Sequence, residues 1–390
     1  MSVSAAEHSQ LAENIARKYP IVDGHIDVPY RLHRRWSDVT IAQPEGDFDY
    51  PRAVQGGLDA PFMSIYVPAD KEGKGARLLA NTLIDQVEAI VFRAPEKFAL
   101  ARSATDIRRN FKLGKISLPL GMENGAAIEG KLENLDHFYN RGIRYITLAH
   151  ARANHISDSS YDDVKVWNGL SPFGITMVEE MNRLGIMVDV SHVSDAAFYE
   201  VLALSKVPVI ASHSSLRHFT PGWERNIDDE MLEALGKNGG VIMITFGSDF
   251  LSEEALHWSE QRKQVGRAFA DLQGDHITPD ATAHFSEQYK RRFPYPYATV
   301  SDVADHIDRV RELIGISHIG LGSDFDGVGD SLPEGLKDVS GYPRLIEELL
   351  RRHYDEKDIA KILGGNILRV MDVVEQYAVA KAAQARPQTD

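Results

Sequence analysis

The stretch IMVDVSHVSDAAFYEVLALSKVPVIASHSS, residues 186–215, sets an apolar run, Ile186 to Val190, just ahead of His192, and repeats the arrangement with Val207 to Ala211 ahead of His213. Between the two runs Ser194 and Asp195 read as a helix start with Ser194 as N-cap. Short apolar runs alternating with amphipathic stretches are the pattern of successive βα units, not of a bundle or a sandwich. Four more runs lie upstream: Ile21 to Val28, Phe62 to Val67, Ser117 to Met122 and Tyr145 to Ala149. Two lie downstream, Val241 to Phe246 and Ile319 to Ser323. Helical periodicity fills the gaps: Leu79, Leu83, Val87, Ile90 and Val91 share one face, as do Val303, Ile307, Val310 and Ile314 before Gly315. A further helical stretch closes on Arg141-Gly142.

Eight parallel strands with intervening helices predict an α/β chain folded as a (β/α)8 TIM barrel. An open doubly wound sheet is the alternative, but Asp23-Gly24-His25-Ile26-Asp27 lacks the glycine fingerprint that such a sheet carries after its first strand. Ser248 to Pro296 is too long for a simple βα connection. It reads as an ordered insertion after strand 7, near the rim that holds the chemistry. Two C-terminal helices are expected, Tyr342 to Arg352 and Glu356 to Tyr377. A single domain is expected over residues 1–378, and Val379 to Asp390 reads as a flexible tail.

Composition narrows the function. The 390 residues carry 43 Lys+Arg against 57 Asp+Glu, a formal net charge of −14, and no cysteine. An acidic chain is a poor partner for a nucleic-acid backbone or an anionic membrane face. Without cysteine there is no disulfide, thiolate zinc site, cysteine-held iron–sulfur cluster or cysteine nucleophile. No apolar run is long enough to span a bilayer, and Met1 to Pro20 lack the layout of a secretory signal. The expected location is therefore cytoplasmic. The arginine pairs Arg34-Arg35, Arg291-Arg292 and Arg351-Arg352 read as solvated or ion-paired.

Placing ionisable residues on the strands makes the chain specific. His25 and Asp27 are two apart in an extended segment and so point to one face. Glu123 follows the third run, His192 the fifth and His213 the sixth, while Asp324 closes the eighth. Taken singly, such residues are most often hydrogen-bonded or capping groups. As an ordered set they converge on one mouth of the barrel. Three imidazoles and two carboxylates without thiolates suit two zinc ions, with Mn²⁺, Co²⁺ or Ni²⁺ as possible occupants. Glu123 lies between the His25/Asp27 and His192/His213 pairs in strand order, which makes it the natural bridge.

The sequence resembles the membrane (renal) dipeptidase family, binuclear zinc dipeptidases of the amidohydrolase-like barrels. The likeness rests on Val22-Asp23-Gly24-His25-Ile26-Asp27, Thr147-Leu148-Ala149-His150, Leu170-Ser171-Pro172-Phe173-Gly174, Ser191-His192-Val193-Ser194, Ser212-His213-Ser214-Ser215, Arg225-Asn226 and Gly322-Ser323-Asp324-Phe325-Asp326-Gly327-Val328. It implies metal binding by His25, Asp27, Glu123, His192 and His213, substrate contacts from His150 and Arg225, and an acid/base role for Asp324. It also implies a homodimer. His155 is a rival to His150, which is preferred because it ends the fourth strand directly. Asp326 is a rival to Asp324, where the resemblance decides. Asp23 is expected to orient a ligand, and Asp189 to be a satisfied structural carboxylate. Without the resemblance Arg225 reads as a surface ion-pairing residue.

The reaction these residues predict is hydrolysis of short peptides, dipeptides above all, by a metal-bridging hydroxide, with both an L- and a D-residue at the carboxyl end left open. Two other readings compete. One is a different binuclear hydrolase, acting on a cyclic amide, lactone or β-lactam; many such barrels use a His-x-His pair and a modified lysine, where this chain offers His25-x-Asp27 and Glu123. The other is a non-catalytic metal-binding scaffold, against which Asp324 argues.

Overall fold

The computed structural model describes residues 5–273 and 278–384. Eight parallel strands close into a barrel: β1 Ile21–Ile26, β2 Leu58–Tyr66, β3 Leu120–Glu123, β4 Ile143–Thr147, β5 Met187–Asp189, β6 Ile210–Ser214, β7 Val241–Ile244 and β8 Ile319–Leu321. Each strand pairs with its sequence neighbours, and β8 returns to β1 through the register Asp23↔Leu321. This is the expected (β/α)8 architecture.

Two boundaries move for identifiable reasons. The expected third run, Ser117 to Met122, divides at Pro119, which has no N–H to give a ladder. Ile116–Leu118 pairs with Phe98–Leu100 in a separate two-stranded sheet, and only Leu120–Glu123 joins the barrel. The sixth strand begins at Ile210, beyond Pro208, so His213 sits inside it instead of after it.

The insertion after β7 is ordered over its described part and mostly helical. Helices Ser248–Leu251, Glu253–Gln273 and Pro279–Arg292 build it, with residues 274–277 outside the description. Aromatic contacts join the two longer helices: Phe269 stacks on Phe285 at 5.0 Å, and Trp258 meets Tyr289 edge-on at 5.3 Å. The Trp258 indole N–H donates to the Phe293 carbonyl at 2.9 Å.

The C-terminal helices occupy Tyr342–Arg351 and a segment from Glu356 that passes through a π-helical turn, Lys361–Gly365, into Asn366–Gln384. Val379 to Gln384 are therefore helical and not a loose end; residues 385–390 of the expected tail lie outside the description. An unforeseen helix, Ala5–Lys18, packs against Tyr342–Arg351 and buries Ala12, Ile15 and Ala16. Among the described residues no helix is long and apolar enough to cross a membrane.

The barrel interior is crowded. Val22, Phe62, Tyr145, Met187 and Met243 form one apolar cluster, all essentially without solvent contact. Glycine on β3 makes room: a Cβ at Gly121 would lie 2.0 Å from the Tyr145 ring. The space lets that ring cross the barrel toward β1.

Candidate metal centre

Backbone lacing beyond the strand ends brings the predicted residues together. The Asp324 N–H donates to the His25 carbonyl at 3.0 Å, and the Asp27 N–H to the Phe325 carbonyl at 2.9 Å. These two bonds extend the β1–β8 pairing and set Asp324 beside His25 and Asp27. Asp23 reinforces the seam, accepting from the His25 N–H at 2.9 Å, the Ser323 N–H at 3.1 Å and the Tyr342 hydroxyl at 2.5 Å. It orients His25 through the backbone and leaves the ring untouched. Burial pushes its carboxyl up to about 6, against the pull of those donors.

On the opposite side the Ser160 N–H donates to the His192 carbonyl at 2.8 Å and fixes the loop carrying that histidine. His192 and Asp324 both adopt left-handed backbone, with φ of 68° and 63°. Such a conformation costs a side-chain-bearing residue about 1–2 kcal/mol and is held here by the surrounding hydrogen bonds.

Glu123, the last residue of β3, stands at the middle. Its Oε2 lies 3.4 Å from His25 Nε2. Its Oε1 lies 3.2 Å from His192 Nε2, 3.3 Å from His213 Nε2 and 3.4 Å from His150 Nε2. Asp27 Oδ2 is 3.5 Å from His25 Nε2. Three overlapping trios have donor atoms within 4.8 Å of one another: His25, Glu123 and His213; Glu123, His150 and His192; His25, Asp27 and Asp324. His150 lies three residues past the end of β4, not directly at it, yet it reaches the cluster. His155 does not: its Nδ1 bonds Glu72 at 2.6 Å.

The hydrogen-bond network fixes which ring nitrogen is bare. The Tyr145 hydroxyl donates to the Gly24 carbonyl at 2.9 Å and so accepts from His25 Nδ1 at 2.8 Å, directing Nε2 at the carboxylates. Likewise the Ser212 hydroxyl donates to Asp189 at 2.6 Å and accepts from His213 Nδ1 at 2.8 Å. Asp189 is thus satisfied, as expected, with Thr147 and the Ser191 and Ser212 N–H groups also donating to it. It holds the His213 tautomer as well. His213 Nε2 then presents a lone pair 2.7 Å from His192 Nε2, which itself accepts from Arg225 at 3.1 Å.

Two facing lone pairs repel unless a cation lies between them. His25 Nε2 and Asp27 Oδ1 are likewise buried without a hydrogen-bond partner. Buried polar atoms without partners cost about 1–3 kcal/mol each, and a divalent ion would satisfy these together. Nitrogen and oxygen donors of this kind fit a borderline dication.

The electrostatics follow from the crowding. Burial disfavours the Glu123 carboxylate, but the imidazoles of His25, His150, His192 and His213 outweigh it and hold the group well below its usual range. Burial drives Asp324 the other way, well above the ordinary carboxyl range, with Asp27 and Glu123 adding to the effect. Burial and the nearby Arg225 keep His192 far below its normal value; burial and His25 do the same for His213.

A cavity of about 410 Å³ opens onto this centre. Asp326 borders it but is engaged by Arg31 at 2.8 Å and the Asp47 N–H at 2.7 Å, which leaves Asp324 freer than its rival. Arg225 is 2 % exposed, so it is no surface ion-pairing residue. It donates to Ser214 Oγ at 2.7 Å and the His213 carbonyl at 2.6 Å, and its Nε has no partner. Sequence reasoning missed Tyr145, Tyr66 and Tyr161. Tyr66 packs edge-on against His150 at 4.8 Å, and Tyr161 lies over His192 at 5.8 Å with its hydroxyl facing Arg225. For Tyr145 a signal existed: a tyrosine on an interior strand face needs a partner for its hydroxyl.

Residues 9–385 match the family model described as "Membrane dipeptidase (Peptidase family M19)". The chain belongs to this family. Among curated relatives, Dipeptidase 3 of Mus musculus is 35% identical over 383 residues, covering 95% of this chain and 68% of its own length. Among solved structures, the probable dipeptidase PvdM from Pseudomonas aeruginosa superposes with a TM-score of 0.83 at 27% identity, over 96% of this chain and all of its own. A metallo peptidase from Rhodobacter sphaeroides, liganded with a phosphinate mimic of the dipeptide L-Ala-D-Ala, gives 0.74 at 25% identity, over 91% of this chain and 99% of its own. Membership in the M19 family makes the chain a metal-dependent dipeptidase, a hydrolase of peptide bonds.

Proposed function

We propose that this M19 dipeptidase works with two zinc ions, one held by His25 and Asp27 and the other by His192 and His213, with Glu123 serving both. The observation that carries the reading is the division of Glu123: one oxygen faces His25, while the other faces His192 and His213. Such a pair of ions supplies Lewis acidity and water acidified toward neutral pH.

The chain's own residues do the rest. Asp324, whose burial favours the protonated form, takes the proton of the attacking water and returns it to the departing amine, which must leave protonated. His150, at the cavity wall, donates toward the carbonyl oxygen as negative charge develops there. Arg225 receives the free carboxylate of the substrate. Its Nε–H is unpartnered, and once His192 Nε2 is given to a cation, the neighbouring Nη2–H is released to complete a fork for that carboxylate. A free carboxyl group two residues from the scissile bond would be out of register, so dipeptides are favoured. The mimic bound by the Rhodobacter sphaeroides relative supports tolerance of a D-residue at the carboxyl end.

The deciding experiment combines metal analysis with kinetics on L,L and L,D dipeptides. Two zinc ions per chain, activity lost to a chelator and restored by zinc, and little turnover when the carboxyl terminus is amidated are the expected results. A single ion, or equal turnover of free and amidated dipeptides, would contradict the assignment.

A further inference from the structure

Three arginines follow β1 in quick succession, and two of them are engaged. Arg31 bonds Asp326, Ser37 and the Phe48 carbonyl, and Arg35 pairs with Glu45 at 2.5 Å. Arg34 ends the helix Val28–Arg34 and lines the catalytic cavity, yet its side chain makes no hydrogen bond, ion pair or ring contact with any described residue. Arg225 bonds the lining residue His192 without itself lining the cavity, so Arg34 is the one Lys or Arg among the described residues on the cavity wall.

The cavity's carboxylates are committed elsewhere. Asp249 accepts from the hydroxyls of Ser259 and Tyr295 at 2.8 and 2.5 Å, and Asp326 is held by Arg31 and Asp47. Asp27, Glu123 and Asp324 belong to the metal centre. A guanidinium with five free donors on the wall of a substrate cavity is a receptor for a carboxylate from outside the chain.

Topology says which carboxylate. Arg34 follows β1, on the His25/Asp27 side, whereas Arg225 follows β6, on the His192/His213 side, and two strands separate β1 from β6 by the shorter way around the barrel. A dipeptide anchored by its carboxyl terminus at Arg225 therefore points its amino-terminal residue toward Arg34. Tyr30 and Tyr66, edge-on at 4.9 Å, wall that half of the cavity and offer an apolar surface for the methylenes of a side chain.

We propose that Arg34 makes the enzyme prefer dipeptides whose first residue has an acidic side chain. The inference rests on the dipeptidase reading with Arg225 at the carboxyl end. Because Arg34 is exposed, the gain is modest and sensitive to salt.

The test compares kcat/KM of the metal-loaded enzyme for Glu-Ala and its neutral isostere Gln-Ala, with Ala-Glu against Ala-Gln as the second arm. In the unaltered chain the Glu-Ala to Gln-Ala ratio is expected to exceed one by about five-fold at low salt and to shrink at about 0.5 M salt. Arg34→Met should bring the ratio near one, and Arg34→Glu should take it below one while raising turnover of Lys-Ala over Gln-Ala. Binding of phosphinate mimics with the same first side chains should follow the same order. A ratio indifferent to Arg34→Met overturns the proposal, as does a change confined to the Ala-Glu arm, which would put the carboxylate at the second residue. If the unaltered, metal-loaded enzyme fails even on Ala-Ala, the dipeptidase reading itself falls, an outcome distinct from lost selectivity.

Discussion

The Tyr145 hydroxyl stands 2.8 Å from His25 Nδ1 while giving its own proton to the Gly24 carbonyl, so a residue of β4 decides how a histidine of β1 faces the centre. Removing that hydroxyl leaves the imidazole free to turn and to change tautomer. Tyr145→Phe is expected to weaken metal retention at the proposed His25/Asp27 position by about 10–100-fold, with little change in fold. Competition against a graded series of chelators measures this, and unchanged affinity would remove Tyr145 from the account.

Asp324 can be separated from metal binding. Asp324→Asn keeps the size of the side chain but cannot carry the proton between water and amine. It is expected to retain metal and lose about 10²–10⁴-fold in kcat. Turnover within a few-fold of the unaltered enzyme, at full metal content, would mean another group moves the proton.

Gly327 sits against the carboxylates of both Asp27 and Asp324. A Cβ there would lie 2.1 Å from Asp324 Oδ1 and 2.3 Å from Asp27 Oδ2, distances no real contact tolerates. Gly327→Ala should therefore expel Asp27 and Asp324 from their positions, reducing metal content and abolishing activity while the helices outside the barrel remain. Circular dichroism together with metal stoichiometry distinguishes this from general unfolding.

Asp59 provides a pH-dependent stability term far from catalysis. Half-buried beside β1 and bonded to one N–H, that of Ile21 at 3.0 Å, its carboxyl is pushed up to about 7 by burial. Between about pH 4, where the unfolded chain gives up this proton, and about pH 7, the folded state retains it. Stability from this group is present below that window and lost as pH rises through it. Asp59→Asn should flatten the slope and stabilise the protein at pH 8 by about 1–3 kcal/mol, a figure reduced for residual solvent contact. Urea denaturation at pH 5 and pH 8 reads the difference; an equal effect at both pH values would show that burial of the charge is not the cause.

The sequence carries the strand count and the strand-end residues plainly, because each apolar run is followed within three residues by a group that cannot remain in an apolar core. Glu123, His192, His213 and Asp324 are legible for that reason. Where a run contains proline, as at Pro119 and Pro208, apolar character and ladder membership part company, and the boundaries shift. The Ala5–Lys18 helix was not legible, since its burial depends on a partner more than 300 residues away. Tyr145 and Ser212 were hidden for a related reason: their roles lie in which ring nitrogen they engage, and only the closed barrel brings them to His25 and His213.

The seam between β1 and β8 also bears on how the enzyme comes into being. Asp324, with the carbonyl of Phe325 that fixes Asp27, is made some 300 residues after His25 and Asp27. Contacts so distant in sequence form late, after most of the loop-closure entropy has been spent. A nascent chain that has not yet made β8 thus has most of the clustered imidazoles but no closed catalytic mouth, so peptide-cleaving power is withheld until that last strand has emerged.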